Sequence, residues 1–132
     1  MPSFLSPAAR TPGGSFSLVR DASGEVLVSD LELAIDSATR RKGLLGRDAL
    51  PAGCGLMIAP SNAVHTFFMR FPIDIVFLGR AGNVLKICAA VGPTRVAACL
   101  RGFAVLELPA GEARKRALVV GERLRLEPLA ET

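Results

Sequence analysis

Glycine and proline interrupt this chain so often that few stretches can run long as one element. Thirteen glycines and nine prolines are spread over 132 residues. Proline removes a backbone donor and glycine loosens the chain, so short strands joined by turns are favoured over long helices. The segments between the breaks read as strands. Leu31, Leu33 and Ile35 alternate with Glu32 and Ala34, and residues 123–127 alternate in the same way. This is the period-two pattern of half-buried strands. Residues 73–78 are rich in β-formers, and the turn at 79–83 returns the chain into 84–87 as a hairpin. Residues 56–58 and 103–108 add two more apolar strands.

Two short helices complete the pattern. Asp36 and Ser37 offer N-caps for a helix over 38–45 with a basic face, and residues 112–118 form the second. The expected fold class is mostly β, α+β by count. It is a compact antiparallel barrel-like or sandwich domain with one or two short helices. Residues 1–23, with prolines, serines and a Gly-Gly pair in the first half, read as a flexible tail. Residues 24–132 read as a single domain, and half of all residues are hydrophobic, enough for a core without staples.

Composition excludes several functions. The formal charge of +4 is mild, the basic residues fall in short scattered groups, and Trp and Tyr are absent. A stacking platform for nucleic acid is therefore not expected, although Arg40, Arg41, Lys42 and Arg47 allow a weak basic surface for nucleic acid or a protein partner. No apolar run approaches the ~20 residues of a membrane span. The first residues lack a charged region followed by an apolar one, which points to a cytoplasmic location. Neither a phosphate loop nor a dinucleotide fingerprint is present, so no cofactor is expected. Three cysteines, Cys54, Cys88 and Cys99, without a CxxC pair, beside a lone histidine, give no metal site and point to free thiols.

The segment 65–74, His-Thr-Phe-Phe-Met-Arg-Phe-Pro-Ile-Asp, carries the most chemistry. It gathers the single histidine, an arginine and an aspartate within ten residues. In an extended chain His65, Phe67, Met69 and Phe71 share one face, with Arg70 and Asp74 on the other. A bend at Pro72 would bring Arg70 and Asp74 together as a charge-assisted pair, either pinning the bend or gripping an anion. His65, Arg70 and Asp74 are thus candidate ligand-binding residues, and Glu107 is added as a fourth. No nucleophile motif accompanies His65, which leaves acid–base chemistry by His65 and Asp74 as an alternative.

Three blocks carry a resemblance. Residues 41–47 read Arg-Lys-Gly-Leu-Leu-Gly-Arg, residues 65–78 contain Met-Arg-Phe-Pro-Ile-Asp, and residues 105–111 read Val-Leu-Glu-Leu-Pro-Ala-Gly, followed by Gly121-Glu122. In this order they resemble the bacterial and archaeal family called domain of unknown function 192, over roughly residues 26 to 127. Phe68 stands where relatives most often carry Trp or Gly, and Glu122 where they usually carry Asp. The resemblance implies a compact β-rich domain, frequently exported in relatives, and no established activity. The expectation is a non-catalytic binding or accessory module for a small anionic ligand or a peptide.

Overall fold

The apolar segments assemble as the alternation requires. A computed structural model describes residues 2–11 and 14–129. A helical turn, α1 (Ser6–Arg10), precedes strands β1 (Phe16–Arg20) and β2 (Val26–Ala34). Helix α2 (Ser37–Lys42), strand β3 (Cys54–Ile58) and the short β4 (Ala63–His65) follow. Next come β5 (Ile73–Leu78), β6 (Val84–Val91), the short β7 (Val96–Ala98) and β8 (Ala104–Pro109). Helix α3 (Glu112–Lys115) and β9 (Leu124–Pro128) end the chain. The main sheet has seven strands in the order β6-β5-β8-β3-β2-β1-β9, and β4 pairs with β7 in a two-stranded sheet. The fold is mostly β, a curled half-barrel with short helices.

The curl is visible at the two edges. Asn83, ahead of β6, forms a bridge with Arg123, ahead of β9. The Val84 N–H donates to the Glu122 carbonyl and the Leu124 N–H to the Gly82 carbonyl, at 2.8 and 2.9 Å. The edge strands thus meet at one end, which hides part of an otherwise open edge. Gly82 makes the approach possible: its φ is +86°, and a β-carbon there would stand 2.2 Å from the Leu124 carbonyl oxygen.

Two expectations need correction. The sheet is not wholly antiparallel, because β2 and β3 run parallel. A parallel pair needs a long crossover, and residues 35–53, carrying α2, supply it. The domain also starts earlier than residue 24. Residues 16–20, assigned to the tail on composition, form β1 between β2 and β9, with Phe16, Leu18 and Val19 buried. A four-residue run of apolar and small side chains is too short to announce itself beside so many turn formers. Leu5 is also buried, and Phe4 packs edge-on against Phe103. Residues 1, 12 and 13 of the expected tail, and 130–132 of the expected domain, lie outside the described residues.

Period two divides the core between the two faces of the sheet. Phe16, Leu18, Leu31, Met57, Val76, Leu106 and Leu124 pack on the inner face. Leu56, Ile58, Ile73, Ile75, Phe77 and Val105 pack on the outer face, where Leu44 from the crossover and Met69 cover them. Leu44 is 2 % exposed. Its burial pins the residue 41–47 block to the sheet and is worth about 2 kcal/mol in transfer free energy.

Candidate functional site

The four residues singled out in the sequence do not form one site. Asp74 lies on β5 opposite Leu108 of β8, and Ile75 lies opposite Glu107. Cross-strand partners share a face, so Asp74 and Glu107 point to opposite sides of the sheet.

Asp74 is fully buried on the inner face. Its carboxylate accepts from the Ala90 N–H at 2.8 Å, the Gly111 N–H at 3.1 Å and the Ala113 N–H at 2.9 Å. The first donor belongs to an irregularity in β6, where Ile73 faces Val91 but Ile75 already faces Cys88. Ala90 has a φ of +49° in this bulge. The other two donors are the free amides at the start of α3, whose own cap, Gly111, has no side chain to satisfy them. Asp74 therefore ties a bulge and a helix start to the sheet.

Arg70 does not pair with Asp74, contrary to expectation. Its Nη1 lies 2.7 Å from Asp48 Oδ1 in an exposed ion pair. The extended conformation assumed for residues 65–71 ends at His65. Residues 66–70 turn instead, with the Met69 N–H donating to the Thr66 carbonyl. Phe68 has a φ of +66°, which breaks the alternation and leaves the residue 87 % exposed. Thr66, buried, holds the turn: its hydroxyl donates to the Gly92 carbonyl at 2.8 Å and accepts from the Arg95 N–H at 2.9 Å. His65 and Asp74 thus belong to different parts of the molecule and share no cleft, so acid–base chemistry by that pair has no common site.

His65 and Glu107 do come together. They line a cleft of about 610 Å³ on the outer face, between the end of α2 and β4. Leu44, Ile58, Val64 and Met69 give it apolar walls, and Arg40, Arg41 and Lys42 stand along it. Arg40 has a structural task. It donates to the Asp36 carbonyl from Nε at 3.3 Å and to the Pro60 carbonyl from Nη1 at 3.1 Å, and so ties α2 to the β3–β4 connection. Arg41 donates through Nε to the Ser37 carbonyl, and Lys42, with no side-chain hydrogen bond among the described residues, acts on Glu32 through its charge alone. Arg47 is held by Glu32 in a two-pronged pair at 3.1 and 2.6 Å. The four basic residues are therefore not equivalent: Arg40 and Arg47 are engaged through at least two donors each, Arg41 through Nε alone, and Arg41 and Lys42 keep donors to offer. His65 stacks on Phe67 with ring centroids 5.3 Å apart.

Glu107 is the unusual member. It is 4 % exposed, and its Oε1 has no hydrogen-bond partner among the described residues. Burial pushes its carboxyl up to about 7, against the opposing pull of the Arg47 charge. Gly43, with φ +47°, carries the crossover past this carboxyl; a β-carbon there would lie 4.0 Å from Oε1. The sequence offered Glu107 as the fourth candidate ligand-binding residue, marked out by its place as an acid in an apolar strand. That is the signal by which it could have been ranked first, since an acid inside Val-Leu-Glu-Leu needs a reason.

Cys54, Cys88 and Cys99 are free thiols, and Cys54 Sγ donates to Asp30 at 3.9 Å. Among the described residues no three of His, Cys, Asp and Glu gather to hold a metal ion. No helix among them is long and apolar enough to cross a membrane.

Comparison with known proteins gives a family and a fold. The model of the DUF192 family, described as an uncharacterized ACR, matches residues 18–126. No curated protein matches the chain. A protein of unknown function from Novosphingobium aromaticivorans DSM 12444 superposes with a TM-score of 0.72 at 24 % identity, over 84 % of this chain and 83 % of its own. A protein of Sinorhizobium meliloti 1021, described as a candidate transcription regulator, superposes with a TM-score of 0.74 at 22 % identity, over 86 % and 92 % of the two chains. Both similarities concern the fold.

Proposed function

The chain belongs to the DUF192 family, and on that premise we propose that it is a non-catalytic binding module whose outer-face cleft takes a small anionic ligand. The observation that carries this reading is the buried, unpartnered Glu107 carboxyl at a cleft whose other charged groups are basic. A carboxyl with a pKa near neutrality is largely uncharged at slightly acid pH and does not repel an anion there. Arg41 and Lys42 supply the attraction, and the apolar walls supply contact area. Arg70 and Asp74, engaged elsewhere, drop out of the candidate ligand set; His65 and Glu107 stay.

The test is a thermal melt and a calorimetric titration at pH 6.5 with acetate, succinate, citrate and phosphate. At least one anion is expected to raise Tm saturably. Lys42→Ala and Arg41→Ala are each expected to weaken that binding by about tenfold, or ~1.4 kcal/mol, without lowering the Tm of the free protein. Failure of all four anions to shift Tm at millimolar concentration would overturn the reading.

A further inference from the structure

A binding site for an anion has no use for a buried acid unless the ligand brings something to it. Glu107 Oε1 is inside the protein, lines the cleft and accepts no hydrogen bond. Buried polar atoms are nearly always paired, and one left open at a cleft marks where a ligand atom belongs. What Oε1 lacks is a donor. Arg41 and Lys42, the groups able to hold an acid, line the same cleft, and Gly43, whose added β-carbon would lie 4.0 Å from Oε1, directly follows Lys42. Acceptor and cations thus border one cleft of about 610 Å³. Leu44, Ile58 and Met69 leave room for an apolar substituent beside them.

We propose that the cleft takes a small zwitterion of the amino-acid class, its ammonium donating to Glu107 and its carboxylate held by Lys42 and Arg41. This rests on the anion-binding reading and names the other end of the same ligand. Apolar walls favour an aliphatic side chain over a charged one. The ammonium also settles the charge on Glu107. Binding an ammonium favours the carboxylate, so a bound amino acid drives a proton from Glu107 to solvent wherever the free protein holds one. Arg47 of the crossover acts on that carboxyl, and the other charged or titratable groups along the cleft are Arg40, Arg41 and Lys42 of α2 and His65 of β4.

The experiment is isothermal titration calorimetry on the whole chain at pH 6.5, in two buffers of different ionisation enthalpy. Alanine, leucine and aspartate are compared with their amine-free counterparts propionate, 4-methylpentanoate and succinate, and with ethylamine. The expected result is that leucine binds at least tenfold more tightly than 4-methylpentanoate, with release of a fraction of a proton. Glu107→Gln should abolish both the tenfold preference and the proton release, while Arg70→Ala, outside the cleft and paired with Asp48, keeps them. Far-UV circular dichroism and Tm check that Glu107→Gln is folded, and Lys42→Ala provides a second handle by weakening amino acid and amine-free acid alike. Equal binding of amine-free acids overturns the zwitterion and leaves the anion reading standing. Equal binding of ethylamine overturns the anion reading and the zwitterion, and makes Glu107 an amine acceptor alone. Absence of binding by every compound overturns both.

Discussion

Asp74 and Glu107 sit on adjacent strands, one step apart in register, and both are shielded from water, yet they have opposite fates. Asp74 faces inward and meets three backbone N–H donors from β6 and the start of α3. Glu107 faces outward beneath the crossover and meets none at Oε1. Burial is common to both, so burial alone does not identify a site. The number of donors aimed at each oxygen separates them. A carboxylate supplied with three amides organises its surroundings and has little left to offer; one denied them keeps an acceptor unused.

Three experiments break or sharpen this contrast. The largest effect is expected from Asp74→Ala, which strips partners from three amides at the bulge and the helix start. We expect a loss of ~4 kcal/mol in urea unfolding, with Asp74→Asn losing about half of that. A loss below ~1 kcal/mol would mean that Asp74 is not the organising group.

Glu107→Gln is expected to act through pH. The folded carboxyl has a pKa of about 7 against an ordinary 4.5. Below pH 4.5 it is protonated in both folded and unfolded chains, and the group adds no pH dependence. As pH rises from 4.5 to 7 the unfolded chain gives up its proton first, so the native state loses stability, with a plateau above 7. The raised value corresponds to a penalty of about 3 kcal/mol at pH 8. The stability of Glu107→Gln relative to the natural chain should therefore rise by about that amount between pH 4 and pH 8. A difference that stays flat across this range would show the carboxyl to be well solvated or paired.

The smallest effect is expected at Arg70. Its pair with Asp48 is exposed on both sides, so Arg70→Ala should cost under ~1 kcal/mol. Because Arg70 and Asp74 share no partner, the double variant with Asp74→Ala should be additive within ~0.5 kcal/mol. A larger coupling would restore the direct pair that the sequence spacing suggested.

Much of the fold was legible before any coordinates. Alternation in residues 31–35 and 123–127, apart from Ile35 and Arg123 just outside β2 and β9, and the β-rich runs at 73–78, 84–87 and 105–108 became strands of one sheet. The cap at Asp36 was legible too, and its Oδ1 accepts from the Thr39 N–H at 2.8 Å. The short pairing strands were less visible. Residues 96–98 have no pattern of their own and become a strand only because 63–65 lie beside them. The misjudged segment was 65–74, where a single left-handed residue, Phe68, cancelled the alternation on which the Arg70–Asp74 pair depended.

The amino-acid sequence by itself determined the local terms: which stretches are strands, where glycine and proline end them, and which family the blocks resemble. Those follow from backbone sterics and side-chain period, which act over a few neighbouring residues. Only the tertiary structure decided that β2 and β3 run parallel, that the crossover lies over the outer face, and that Glu107 rather than Asp74 is the acid without a partner. Each depends on which groups from distant parts of the chain come within hydrogen-bonding reach. Asp74 finds its donors 16, 37 and 39 residues away, and no local pattern records such distances.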